Sequence, residues 1–157
     1  MYQIEPMTLE CANIVYQWVY PSPYSIYSFE KNDETISELM NSEYFICKDE
    51  KHNVIGYFCF GASAQIPANE KNVYSTDILD IGLGLMPDLC GRGLGLSFIQ
   101  AGMDYAKQVL HAKELRLTVA LFNHRAIALY KKAGFLEICK VSHRISNKEF
   151  QIMKWTL

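Results

Sequence analysis

The chain has 157 residues, half of them hydrophobic, and a formal net charge of -2 at pH 7. This length suits one domain, residues 1–157, that can bury a core without disulfides or a structural metal. Acidic and basic residues nearly balance and no dense Lys/Arg run occurs, which argues against nucleic acid or a membrane surface as a partner.

The N-terminal stretch "MYQIEPMTLE" has acidic residues and a proline where a signal peptide has a basic flank and an apolar run. No 18 consecutive apolar residues occur, so we expect a soluble, cytoplasmic protein. The cysteines are scattered, with no Cys-x-x-Cys and no histidine at metal-ligand spacing, which predicts reduced core thiols and no bound metal. They are Cys11, Cys47, Cys59, Cys90 and Cys139.

The first half of the chain predicts two helices and a hairpin. Thr8 is placed to cap a helix that runs to about Val19, where "YPSPYSIY" breaks the pattern, and Asp33 is placed to cap a short second helix. The runs "YFICK" and "VIGYFCF" flank the polar stretch "DEKHN", which is typical of an antiparallel hairpin within residues 44–60. Residues 61–76 then form a long loop, a feature that is often functional.

The second half alternates strands and helices. "DILDIGLGLM" predicts a strand with glycines along one face, which suits a ligand lying close to the backbone. A helical stripe follows, "LRLTVALF" predicts another strand that ends at Asn123, and a helix over residues 124–133 is stopped by Gly134. "FLEICKVSHRI" and "KEFQIMKWTL" add two strands, so the fold class is a mixed α/β sheet flanked by helices.

The stretch "LCGRGLG" lies between a predicted strand and a predicted helix. Glycines at a helix N-terminus let unpaired amides approach an anion, although they also serve simply to permit a tight turn. The phosphate-binding loop that ends in Gly-Lys-Ser/Thr does not fit, because no lysine lies between Lys71 and Lys107. The dinucleotide fingerprint does not fit either, because Leu96 stands where its last glycine is needed.

A third pattern fits these letters. "MPDLCGRGLG" resembles the pyrophosphate-binding motif Gln/Arg-x-x-Gly-x-Gly/Ala of the GCN5-related N-acetyltransferases, with Cys90 where that family usually has Gln or Arg. "NHRAIALYKKAGF" resembles the second signature of the family, Asn-x-x-Ala-x-x-x-Tyr-x-x-x-Gly-Phe, in the expected order and separation. The resemblance implies the acyl-CoA N-acyltransferase fold, with a central, mostly antiparallel sheet flanked by helices.

The resemblance also implies an enzyme that transfers an acetyl group from acetyl-CoA to a primary amine by direct attack. The amides of the glycine loop would hold the pyrophosphate, and free backbone at the end of the preceding strand would bond the pantetheine arm. Tyr130 would protonate the leaving thiolate, although helical spacing alone also suits a core aromatic, and Asn123 alone also suits a helix cap. The expected ligand-binding residues are Leu85, Met86, Gly91, Arg92, Gly93, Leu94, Gly95, Asn123 and Tyr130.

The general base is less defined. Asp80 lies on the glycine face of its strand, where the resemblance implies a carboxylate that takes the amine proton through water. Asp77 and Glu70 are possible substitutes. For all of them, a solvated surface carboxylate without a catalytic role is an equal alternative. Cys90 has no motif partner that would make it a nucleophile.

The acceptor is open. An aromatic cluster in residues 16–29 lies where this family walls the acceptor, and it suits a peptide amine, an aryl amine, a cationic amine or simple core packing. A non-catalytic acyl-CoA-binding module of the same fold is the alternative function. A homodimer is compatible with the resemblance.

Overall fold

A computed structural model describes residues 1–75 and 77–157. In these residues one sheet has the strand order β1-β2-β3-β4-β5-β7-β6. The strands are β1 (Gln3–Pro6), β2 (Tyr44–Lys48), β3 (Val54–Phe60), β4 (Leu79–Leu85), β5 (Glu114–Ala120), β6 (Leu136–Ser142) and β7 (Glu149–Thr156). The helices are α1 (Leu9–Tyr16), α2 (Asp33–Leu39), α3 (Gly95–Gln108) and α4 (His124–Lys132). The mixed, mostly antiparallel sheet is therefore confirmed.

Two predicted boundaries need correction. Thr8 does cap α1, but α1 ends at Tyr16 instead of near Val19. The cap of α2 is Asn32, whose side chain accepts a hydrogen bond from the Thr35 amide at 2.9 Å. Asp33 is the first helical residue, where its carboxylate still favours the positive end of the helix dipole.

The hairpin over β2 and β3 follows from its turn. The Asp49 side chain accepts hydrogen bonds from the amides of Lys51 and Asn53, both at 2.9 Å, and His52 takes a positive φ of 66°. β1, which the sequence analysis did not predict, pairs antiparallel with β2 at the sheet edge.

The main core lies between the sheet and α3. Phe58 of β3 stacks on Phe98 of α3 with ring centroids 4.5 Å apart. Gly102 allows this approach, because a Cβ atom there would lie 2.3 Å from the Phe58 ring. A second core joins α1 and α2 to the opposite face of the sheet. No helix in residues 1–75 or 77–157 has the length and apolar character of a membrane span.

The cysteine prediction holds in part. Cys11, Cys47 and Cys59 are buried, Cys90 is half-buried and Cys139 is exposed on β6, so the core interpretation is wrong for Cys139. All five thiols are free.

Candidate active site

The sheet opens between β4 and β5. These strands run parallel and pair only at Leu79 with Leu115 and at Asp80 with Arg116, after which they separate. The gap is part of a cleft of about 1010 Å3. Because β4 and β5 lead into α3 and α4, the cleft brings both helix N-termini to one site.

The free edge of β4 faces this cleft. Met86 donates to the Ile55 carbonyl at 2.8 Å and Gly61 donates to the Asp80 carbonyl at 2.9 Å, so the even-numbered residues of β4 bond to β3. Since the backbone N–H and C=O groups of successive residues point to opposite sides of a strand, those of Leu83 and Leu85 point to the cleft. The Leu85 carbonyl accepts a hydrogen bond from Tyr20 Oη at 2.6 Å, so at this residue the amide is the group left to bond a ligand.

This geometry corrects two expectations. Free backbone at Met86 is wrong, because its amide bonds to β3 and its carbonyl accepts from the Leu89 amide at 2.9 Å. The glycine face of β4 is covered by this chain's own side chains: a Cβ atom at Gly84 would lie 2.2 Å from the Tyr57 ring, and one at Gly82 would lie 2.7 Å from Cys59 Sγ. Leu83, which the sequence analysis did not select, takes the place of Met86 at the free edge.

The glycine loop presents bare amides at the start of α3. Gly91 and Gly93 take positive φ angles of 77° and 79°, which favour glycine. Leu94 caps α3 without a side-chain hydrogen bond, and the first helical bond is from the Phe98 amide to the Leu94 carbonyl. Within the described structure, no amide of residues 91–97 donates to another protein group. The loop therefore offers consecutive donors to an anion.

Gly95 has an additional role in packing. A Cβ atom there would lie 2.8 Å from Leu129 of α4, so this glycine allows α3 and α4 to pack closely. Arg92 and Gly93 are exposed, and nothing lies within 4 Å of a Cβ atom at Gly93.

Positive side chains from α4 line the cleft. Arg125 Nη1 lies 3.7 Å from the position of a Cβ atom at Gly91, and its guanidinium lies over the Tyr24 ring at 4.9 Å. Lys132 also lines the cleft. The sequence analysis missed both, although Arg125, Leu129 and Lys132 have the spacing of one helical face.

Tyr130 lines the cleft from α4 and is half-buried, with its ring edge-to-face on Phe135 at a centroid distance of 6.2 Å. Burial raises the pKa of its hydroxyl well above the usual range, and the neighbouring Tyr27 adds to this. The hydroxyl therefore stays protonated at neutral pH.

Asn123 caps α4, since its Oδ1 accepts from the Ala126 amide at 3.1 Å. Its Nδ2 donates to Tyr27 Oη at 3.1 Å. Asn123 thus ties the end of β5 to the helical turn Tyr24–Tyr27, and it lines the cleft.

Asp80 is almost fully enclosed. Arg116 donates to both carboxylate oxygens, from Nε at 2.6 Å and from Nη2 at 2.7 Å, and Gln65 Nε2 donates to Oδ2 at 2.8 Å. Asp77 and Glu70 are not among the described residues that line the cleft, and Glu70 instead accepts from the Ser142 amide and hydroxyl. Asp80 as general base remains a prediction, and its three donors favour a positioning role.

Cys90 is no activated thiol in this geometry. Its Sγ donates weakly to the carbonyls of Leu85 and Met86, at 3.8 and 3.6 Å. Burial raises the thiol pKa, and Arg125 opposes this only in part. In the parts of the chain on either side of Thr76, no three His, Cys, Asp or Glu side chains group as a metal site.

The chain is similar to known acetyltransferases. It is 40% identical to an N-alpha-acetyltransferase of Sulfurisphaera tokodaii over 57 residues, which span 36% of this chain and 34% of that relative. It is 27% identical to a spermidine N(1)-acetyltransferase of Vibrio cholerae over 128 residues, 80% of this chain and 67% of that protein. The first match thus spans about a third of that relative's length.

Solved structures share the fold. A GNAT-family acetyltransferase from Bacillus anthracis aligns with a TM-score of 0.74 at 14% identity, covering 99% of this chain and 94% of that one. A spermidine N-acetyltransferase chimera from Vibrio cholerae and hSSAT aligns with a TM-score of 0.73 at 16% identity, covering 99% of this chain and 95% of that one. The family model described as the acetyltransferase (GNAT) family matches residues 12–135. With the split sheet and the bare helix N-terminus in the cleft, this match shows that the chain belongs to the GNAT acetyltransferase family.

Proposed function

We propose that the protein transfers an acetyl group from acetyl-CoA to a primary amine. The observation that carries this proposal is the cleft between β4 and β5, which joins a loop of unpartnered amides to a free strand edge and a protonated tyrosine. An acyl-CoA needs all three: donors for its phosphates, partners for its amide-containing arm, and a proton for its thiolate.

The residues fit such a ligand. The amides of residues 91–97 suit the pyrophosphate, with Arg125 and Lys132 adding positive charge. The backbone of Leu83 and Leu85 suits the pantetheine arm, which would pair with β4 like an added strand. The ligand would thus continue the sheet where β5 leaves it.

The chemistry then requires little from the protein. The amine lone pair forms the new C–N bond at the thioester carbonyl carbon, and an amide of the free β4 edge faces the oxygen as it gains negative charge. When the C–S bond breaks, Tyr130 Oη gives its proton to the sulfur and regains one from solvent. The nitrogen loses its extra proton to water, so no carboxylate has to enter the site.

The acceptor is an amine, and the cleft favours a single amine over a polyamine. No Asp or Glu is among the described residues that line the cleft, whereas Arg125, Lys132 and Lys148 are. Glu43 is not among the described lining residues; it accepts a hydrogen bond at 2.6 Å from the hydroxyl of Ser63, which does line the cleft. A polyamine would bring extra ammonium groups without a carboxylate to face them. We therefore propose a small-molecule or peptide monoamine.

Thermal unfolding with acetyl-CoA is the first test. At about 100 times the dissociation constant, a ligand stabilises the native state by roughly 2.7 kcal/mol, which raises Tm by roughly 5 to 11 °C in a domain of this size. Gly93→Asp should abolish the shift by adding negative charge, and Gly93→Ala, which has the same backbone strain, should retain most of it. No shift in the wild type at millimolar acetyl-CoA would refute the proposed ligand.

Turnover separates the enzyme from a binding module. We expect CoA release with at least one amine of a broad panel, and Tyr130→Phe should bind acetyl-CoA normally but lose at least about tenfold in kcat. CoA binding without release for any amine would favour the binding module instead. An unchanged kcat in Tyr130→Phe would remove this tyrosine from the mechanism.

A further inference from the structure

Gln65 holds a fixed orientation at the wall of the cleft. It directly follows the helical turn Ala62–Ala64, is half-buried and lines the cleft. Its Nε2 donates to Asp80 Oδ2 at 2.8 Å. The steps of the proposed acetyl transfer do not otherwise use this side chain.

The direction of the Gln65 amide follows from its partner. Both oxygens of the Asp80 carboxylate accept hydrogen bonds from Arg116, and a carboxylate in such an ion pair offers only acceptors, so the nitrogen of the Gln65 amide faces Asp80. Asp80 itself cannot turn, because Arg116 also donates from Nη1 to Ser75 Oγ at 3.1 Å and from Nη2 to the Ser75 carbonyl at 2.9 Å. The Gln65 oxygen is thereby turned away from Asp80, and it accepts no hydrogen bond in the described parts of the chain.

Gln65 lies on the face of the sheet opposite to α3 and α4. Ala64, its neighbour, lies within 3.4 Å of the position of a Cβ atom at Gly82, on the even-numbered face of β4. Leu83, Leu85 and Tyr130 pack with the core on the α3 and α4 side. The gap between β4 and β5 lies between the two sets. An amine that approaches from the Gln65 side would reach a thioester held from the other side.

We propose that Gln65 Oε1 accepts a hydrogen bond from the N–H of the acceptor amine, and that Asp80 and Arg116 act as positioning residues for this amide. The inference depends on the proposed acetyl transfer. A neutral amine attacks with its lone pair, so its N–H groups point away from the carbonyl carbon and need an acceptor. An amide oxygen supplies one without holding the amine as an ammonium ion, as a carboxylate would.

A purely structural role is the competing explanation. In that case Gln65 merely fastens the loop to β4, and its loss would loosen the loop without a specific effect on the amine. Asn41→Ala provides the matched control, because Asn41 Nδ2 donates to Ser63 Oγ at 2.8 Å in the same turn and is not among the described lining residues.

The experiment compares Gln65→Met, Asn41→Ala and the wild type with acetyl-CoA and three amines: phenethylamine, trialanine and spermidine. Gln65→Met keeps the side-chain length and removes the amide. We expect kcat/KM for the best wild-type amine to fall roughly five- to tenfold, as for one lost hydrogen bond, with KM for acetyl-CoA and its Tm shift unchanged. Asn41→Ala should lower Tm without this loss.

Three results would overturn the inference. An unchanged kcat/KM for the amine in Gln65→Met would leave acetyl transfer standing and remove the role of Gln65. An equal loss in Asn41→Ala would reduce that role to loop anchoring. If the wild type binds acetyl-CoA but acetylates none of the three amines or a broader panel, the proposed function fails and this inference fails with it.

Discussion

The loss of the buried ion pair between Arg116 and Asp80 should destabilise the fold strongly. The two side chains are 4% and 3% exposed, and they join β4 to β5 where the parallel pairing is confined to two residue pairs. Arg116→Met removes both donors to the carboxylate and leaves a buried charge with Gln65 as its remaining partner.

The expected loss of unfolding free energy follows from this burial. Removing one partner of a buried pair costs about 3 to 5 kcal/mol, because the other charge stays enclosed without compensation. For a domain of this size that loss lowers Tm by roughly 6 to 20 °C. A domain whose stability exceeds this loss, as most of the usual range of about 5 to 15 kcal/mol does, then keeps a measurable unfolding transition.

Urea unfolding followed by far-UV circular dichroism measures the change, with the free energy taken from the midpoint and the slope. The double variant Arg116→Met/Asp80→Leu should recover most of the loss, because it removes the stranded charge. Lys154→Met is the surface control: its pair with Glu114 is 35% and 30% exposed and should contribute less than about 1 kcal/mol. A loss below about 1 kcal/mol in Arg116→Met, or no recovery in the double variant, would refute the reasoning.

Two further predictions concern residues of the family motifs. Asn123→Ala should cost about 1 kcal/mol of unfolding free energy through the lost cap of α4, whereas Asn123→Asp, which keeps a capping oxygen, should cost less; equal losses in urea unfolding would contradict the capping role. Iodoacetamide at pH 7.5 should alkylate the exposed Cys139 well before Cys90, because burial keeps Cys90 as a thiol, and peptide mass mapping over time gives the order. Faster alkylation of Cys90 would indicate an activated thiolate.

The predictions that succeeded depend on local sequence. Three features are each determined by residues close together in the sequence: the apolar stripe of α3, the loop at Gly91 and Gly93, and the polar turn of the β2–β3 hairpin. They could therefore be predicted from the sequence. The strand β1 could not, because its pattern is short and acidic and its stability comes from pairing with β2.

The errors at the site have one cause. Whether the backbone groups of Met86 are free depends on which strand pairs with β4 and in what register. The residues of β4 do not by themselves determine either. The pattern of Gly82 and Gly84 predicts room for a ligand, but Tyr57 and Cys59, which come more than 20 residues earlier, occupy that face. Arg116 did carry a signal, since it is a charged residue inside an alternating apolar strand. Its partner Asp80 lies 36 residues away.

Contacts that involve residues outside both motifs also hold the cleft open. At one end, Arg116 and Asp80 hold β4 and β5 together. Beyond that point Tyr20 bonds to the end of β4, and Tyr27 is held by Asn123 at the end of β5, so the segment from Tyr20 to Tyr27 spans the gap. Each strand is thus fixed at both ends of the split. A ligand entering the gap finds the free edge of β4 already exposed, and its binding energy is not spent on separating the strands.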